Sequence, residues 1–126
     1  MKKIIITCFA IFIIGPILFR VFMYYTSKDV FTYAEKVMRG EVPLEETAGR
    51  KVDRYQYKLD YPIDKVNVTL KVIWVVHDFY KGKAEVYYHM AHYSNGLNVF
   101  GSVAYSTWYI EKINGKWEIV KIIEKP

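Results

Sequence analysis

Three histidines are the side chains of this 126-residue chain best suited to ligate a metal or move a proton: His77, His89 and His92. A zinc site needs ligands converging on one point, and residues on a strand share a face only at even spacing. His89 and His92 are three apart, so they point to opposite faces, and the single cysteine, Cys8, lies in an apolar N-terminal run far from both. Neither a metal set nor a cofactor is expected. His77-Asp78, with Glu85 beyond the next turn, has the residue types of a general-base pair, but adjacent strand residues point apart and leave Asp78 badly placed to orient His77. No Ser or Thr stands in a nucleophile-elbow context, and Gly96 and Gly101 lack the spacing and the strand-to-helix setting of a phosphate loop. These residues argue against catalysis.

Recognition is the other chemistry on offer. Ten of the twelve tyrosines lie beyond residue 25. Tyrosine suits half-buried strands, yet it is also enriched at protein interfaces. Tyr55, Tyr57, Tyr61, His89 and Tyr105 form the candidate ligand or partner surface. Nucleic acid is not an expected partner. With Lys2, Lys3 and Arg20 set aside, fifteen basic residues face thirteen acidic ones, and the one basic cluster, Arg50, Lys51 and Arg54, is interrupted by Asp53. Asn67-Val68-Thr69 is a glycosylation tripeptide that matters only in a eukaryotic secretory lumen.

The elements that carry these residues begin with a hydrophobic segment. Residues 4–25 are interrupted only by Thr7, Gly15, Pro16 and Arg20. At 1.5 Å per residue they reach roughly 33 Å as a helix, enough for a hydrocarbon core of about 30 Å. Arg20 lies where its stem can snorkel to the interface, and Tyr24 and Tyr25 sit where an aromatic belt belongs. A cleaved signal peptide is the competing reading, since Lys2-Lys3 precedes the run and Gly15-Pro16 interrupts it, but no small residues stand at its end for cleavage. The expectation is an uncleaved transmembrane anchor over residues 1–25 that contacts the lipid bilayer through residues 4–25. Lys2 and Lys3 favour a cytoplasmic N-terminus, which places the domain of residues 26–126 outside, although Lys28, Lys36 and Arg39 follow on the other side.

Beyond the anchor, Thr26-Ser27-Lys28-Asp29 has the hydroxyl and acid of a helix start, Val30, Phe31, Ala34, Val37 and Met38 recur at helical spacing, and Gly40 stops the run. A further helical turn is predicted over residues 43–47. The period then drops to two. A strand is predicted over residues 54–61, with Tyr55, Tyr57, Leu59 and Tyr61 on one face, and the chain turns at Pro62-Ile63-Asp64. A second strand runs over residues 66–76, its apolar second half suggesting a central position. Strands over 84–94, 102–113 and 117–123 follow, broken at Asn95-Gly96 and Asn114-Gly115. A two-residue Asn114-Gly115 turn opposes Lys112 to Trp117, Glu111 to Glu118, Ile110 to Ile119 and Trp108 to Lys121. The opposed Glu111 and Glu118 have the residue types of a carboxylate pair, but so close to an exposed turn they read as a wet sheet end. The fold class is α+β: a transmembrane helix, then one amphipathic helix packed on a curved antiparallel sheet of about five strands.

Two families are similar to this pattern. The stretch from Ser106 through Trp108, Tyr109, Asn114, Gly115 and Trp117 to Ile119 resembles the closing hairpin of the nuclear-transport-factor-2-like and cystatin-like group, in which a curved sheet wraps a helix. The resemblance implies a domain of a kind often carried, without catalysis, on single bacterial anchors. The order of an anchor, Ser27-Lys28-Asp29-Val30-Phe31-Thr32-Tyr33-Ala34, Gly49, Gly82-Lys83-Ala84-Glu85-Val86 and Gly115-Lys116-Trp117 is similar to the cytochrome-oxidase assembly factor family, which implies a non-catalytic helper of membrane complexes. The expected function is thus a single-pass, membrane-anchored, non-catalytic domain that binds or assists another membrane or envelope protein. The alternatives are a ligand-binding or isomerase-like enzyme with a pocket between helix and sheet, lined by groups such as His89 or Tyr105, and an immunity or inhibitor-type protein.

Overall fold

A computed structural model describes residues 2–56 and 63–125. Helix α1 spans Lys2–Tyr25 and continues through Pro16. It is long and apolar enough to cross a membrane. Its only buried residue is Met23, at the end that meets the rest of the chain. Phe12, by contrast, is 79% exposed.

Only Thr26 and Ser27 separate α1 from α2 (Lys28–Met38). Their hydroxyls do not cap α2 as the sequence suggests: Thr26 Oγ1 donates to Phe22 O at 2.7 Å and Ser27 Oγ to Met23 O at 2.7 Å. Both close the last turn of α1, where four carbonyls lack helical partners. The stop at Gly40 agrees with expectation. Gly40 has φ +74°, its N–H donates to Val37 O, and Glu41 N–H reaches back to Lys36 O, completing a Schellman motif. The helical turn predicted next is α3 (Leu44–Thr47).

The strand predicted over 54–61 is corrected where the chain is described. Lys51–Tyr55 is a 3₁₀ turn that buries Val52 and Tyr55, while Tyr57 and Tyr61 lie outside the described residues. Four antiparallel strands follow in the order β1 (Lys65–His77), β2 (Lys81–Ser94), β3 (Leu97–Ile113) and β4 (Lys116–Lys125). The class is therefore α+β, as expected. β1 is an edge strand rather than a central one. Its second half is apolar on both faces because a bulge between Val72 and Trp74 moves Trp74 and Val76 off the core face and brings Val75, opposite Ala84, onto it.

Asn114-Gly115 turns with φ +52° and +78°, and three of the expected partnerships hold: Lys112 with Trp117, Glu111 with Glu118 and Ile110 with Ile119. The fourth does not, because a bulge between Tyr109 and Ile110 pairs Trp108 with Ile122 and Tyr109 with Lys121. Strict alternation would have sent the Lys121 ammonium into the core, and one extra residue sends Ile122 there instead. Asn95-Gly96 (φ +51° and +76°) is itself a hairpin turn, so β3 begins at Leu97 rather than near residue 102.

α2 and the 3₁₀ turn pack on one side of this sheet, and α1 contributes Met23 to the same core. Val30, Phe31, Ala34, Val37 and Met38 of α2 pack with Val86, Met90, Trp108 and Ile110, each at most 3% exposed. Phe31 stacks on Trp108 with centroids 6.1 Å apart. Burying one such side chain contributes about 1.5–3 kcal/mol.

Candidate functional site

The side of the sheet away from the helices is open, and cross-strand register arranges it in rows. Val76, Lys83, Tyr109 and Lys121 form one row; Trp74, Glu85, Thr107 and Ile123 the next; Lys71, Tyr87, Tyr105 and Lys125 the third. Thr69, His89 and Val103 make a fourth. An exposed antiparallel face ordinarily carries polar side chains. This one leaves Val103 58%, Tyr105 55%, Val76 47% and Ile123 42% exposed.

Lysines interleave with the rings. Lys83 Nζ lies 6.0 Å from the Trp74 centroid and 5.8 Å from that of Tyr109, and Lys121 Nζ lies 5.4 Å from Tyr109 on its other flank. Tyr87 and Tyr105 rings meet at 5.1 Å. Glu85 is the acid amid these rows, and it is already engaged by Lys125 Nζ at 2.7 Å and the Thr107 hydroxyl; Glu111, opposite Lys81, follows at the end of the face. Burial works to raise the Glu85 pKa, but Lys125 and Thr107 more than offset that and hold it below its ordinary value.

Of the residues singled out from the sequence, His89 and Tyr105 share this outer face, both exposed. Neither points into a pocket between helix and sheet, because strand parity turns both away from α2. Tyr55 lies on the opposite side, 1% exposed. Its hydroxyl accepts from Trp108 Nε1 at 2.9 Å and donates to Glu124 Oε1 at 3.1 Å, which also accepts from Tyr88 at 2.9 Å. Burial pushes the Tyr55 phenol far above its usual pKa, so it is a fixed structural donor rather than a titrating group. What sequence reasoning missed is the Trp74, Tyr87, Tyr109 and lysine array: Tyr87 and Tyr109 share the parity of His89 and Tyr105, but Trp74 and Lys121 join them only through the bulges in β1 and β4.

The histidines are dispersed. His92 is buried edge-to-face on Phe100 (5.5 Å), and His77 sits at the end of β1 against α1. Among the described residues no three His, Cys, Asp or Glu side chains group in a way that could hold a metal. His77 Nε2 lies 2.7 Å from Thr26 Oγ1 and 3.2 Å from Met23 O, while Nδ1 accepts the Phe79 N–H at 3.0 Å. That acceptor role requires a neutral ring with its proton on Nε2. Burial is the main cause that lowers the His77 pKa, with Lys112 adding to it. Asp78 turns away, accepting the N–H groups of Tyr80 and Lys81, which hold its pKa down. His77 is thus a joint between helix and domain, and Trp117 Nε1, donating to Thr26 O at 3.0 Å, is a second.

Beside this joint lies an open cleft of about 610 Å³ whose lining includes Asp29, Tyr33, Glu46, Arg50, Trp117 and Glu118. Its charges are matched: Arg50 pairs with Glu118 at 3.2 Å and lies over the Tyr33 ring at 4.9 Å. That pairing also relieves the opposition of Glu118 to Glu111. Where α2 meets the β4 side of the core, the space bounded by Val30, Val52, Trp117 and Ile119 is about 10 Å³, room for no more than about one water. No protein-family model, curated protein or solved structure matches this chain.

Proposed function

We propose that this chain is a single-pass membrane protein, anchored by residues 1–25 with its N-terminus in the cytoplasm, whose domain of residues 26–126 binds or assists the assembly of another membrane or envelope protein without catalysing a reaction. The observation that carries this reading is the uncovered aromatic and aliphatic outer face, with Val103 and Tyr105 each more than half exposed. Exposed rings backed by a rigid sheet, with lysines between them, are the side chains that interfaces use. The short α1–α2 junction, clamped by His77 and Trp117, supports the same reading because it holds that face in a fixed attitude to the anchor. An acidic or amphipathic surface on the partner complements the Lys71, Lys83, Lys121 and Lys125 ammonium groups.

Site-specific photocrosslinking in native membranes tests it. A crosslinker at position 103 or 105 is expected to yield one discrete adduct, and one at position 97, on the Asn95-Gly96 turn, is expected to yield none. Recovery of only the unassociated monomer from both outer-face positions would overturn the proposal.

A further inference from the structure

The sheet has two ends, and they differ. One carries the Asn95-Gly96 turn; the other brings together the β1–β2 turn at Asp78, Phe79 and Tyr80 and the β3–β4 turn at Asn114-Gly115, tied by Lys112 N–H donating to Tyr80 O at 2.8 Å. This second end abuts the last turn of α1. Phe79 packs edge-on against Phe22 of that helix with centroids 5.8 Å apart, and against His77 at 4.9 Å. Phe22 is one turn inside the apolar segment, so Phe79 reaches to the depth of the helix's own apolar residues.

Phe79 does so in a conformation that needs a compensating contact. Its φ is +73°, in the left-handed region that a bulky residue rarely enters. Despite its two ring contacts Phe79 remains 42% exposed, beside Tyr80 at 73% and Ile113 at 40%. Lys81, Lys112 and Lys116 surround them, all exposed. Asp78 is turned onto backbone N–H groups and Glu111 lies opposite Lys81, while Asp29, Glu46 and Glu118 line the cleft that Lys112 and Lys116 share, on the α2 side of the tip where Arg50 pairs with Glu118. Exposed aromatic and aliphatic tips ringed by lysine match a bilayer interface: rings at headgroup depth, ammonium groups on anionic headgroups.

We propose that this tip is a second membrane contact, in which Phe79, Tyr80 and Ile113 enter the interface and Lys81, Lys112 and Lys116 engage anionic lipid headgroups. The occupant is the bilayer that α1 enters, because the tip continues the surface of that helix through Phe22. The inference rests on the reading of α1 as a spanning anchor. It adds that the domain stands on the membrane at two points, which turns the sheet about α1 to a defined orientation.

The test uses the full chain in nanodiscs with Cys8→Ser and a fluorophore on one introduced cysteine: Phe12→Cys, Tyr80→Cys or Leu97→Cys. Quenching by spin-labelled lipid is read at each position. Strong quenching at 12 and 80 but not at 97 is expected, and Lys81→Glu with Lys116→Glu should lower quenching at 80 in anionic discs while leaving 12 unchanged. Each lysine near an anionic surface is worth about a fivefold change in occupancy. Quenching at 12 without quenching at 80 would overturn the tip contact and leave the anchor standing. Equal quenching at 80 and 97 would overturn it too, as a domain lying flat. Absence of quenching at 12 would overturn the anchor and this inference together.

Discussion

Replacing Tyr55 with phenylalanine isolates one buried hydroxyl. The ring and its neighbours, Tyr88 at 5.1 Å and Trp108 at 5.6 Å, remain, so burial of apolar area is nearly unchanged. What goes is the acceptor for the Trp108 indole N–H, in a side chain that is 0% exposed, and one of two phenol donors to Glu124. An orphaned buried donor costs about 1–3 kcal/mol, and a hydrogen bond to a charged group contributes about 1.5–3 kcal/mol. The second figure must be discounted, because the Glu124 side chain is 23% exposed and water replaces part of the loss. Tyr55→Phe should therefore destabilise by about 2–4 kcal/mol, a fall in Tm of about 10 °C or more for a domain of this size. Tyr88→Phe removes a donor to the same carboxylate but leaves Trp108 paired, so it should cost less. Thermal unfolding of both variants in detergent, followed by near-UV circular dichroism, compares them. A Tm for Tyr55→Phe within about 2 °C of the parent, or equal losses for the two variants, would refute the reasoning that ranks the indole N–H above the carboxylate.

Gly82→Ala would put a Cβ 2.6 Å from both His77 Cβ and Val76 O, so the β1–β2 hairpin must shift and stability should fall by about 1–3 kcal/mol, read as a lower urea midpoint. Acid should also weaken the fold through His77 and His92, whose folded pKa values are both lowered, with burial the main cause. Above the unfolded value near 6.5 both states are neutral and nothing is lost; as pH falls below it the unfolded chain takes up protons first, with a slope of at most about 1.4 kcal/mol per pH unit per histidine. Urea midpoints between pH 8 and 5 should show the decline, and it should flatten in the His77→Gln, His92→Gln variant. Tyr105→Ser on the outer face forfeits the Tyr87 ring contact and should lower stability by about 0.5–1.5 kcal/mol, leaving the domain folded, yet abolish the crosslink from position 103. Gly115→Ala, at φ +78°, should cost about 1 kcal/mol or more with no effect on that crosslink.

Much of the fold was legible wherever a local device decides the structure. The apolar run over residues 4–25, the Gly40 stop and the Asn114-Gly115 turn each act through their own side chains or φ angles, and each stands where the sequence predicts. Thr26 and Ser27 were misleading because a hydroxyl between two helices can serve either one, and the nearer carbonyls of α1 won. The bulge beside Ile73 was invisible because Val72 to Val76 is apolar throughout and no residue type marks the slip, whereas the one beside Val120 had a mark that went unread, since strict alternation from the Asn114-Gly115 turn sets Lys121 against buried Trp108. They also hid the candidate site. His89 and Tyr105 fall on the outer face by simple parity, but Trp74 reaches it only because β1 slips by one residue. Tyr55 was placed on a strand surface by its alternation with Arg54 and Gln56, whereas the 3₁₀ turn carries it into the core with Val52.

The proposed function requires that the apolar helix stay joined to the domain and hold it at a bilayer. Intact-mass analysis of the protein recovered from native membranes after alkaline carbonate washing tests this most directly. A pelleted polypeptide that still contains residues 2–25 is the expected result. A washed-out, soluble species whose first residue lies near position 26 would contradict it.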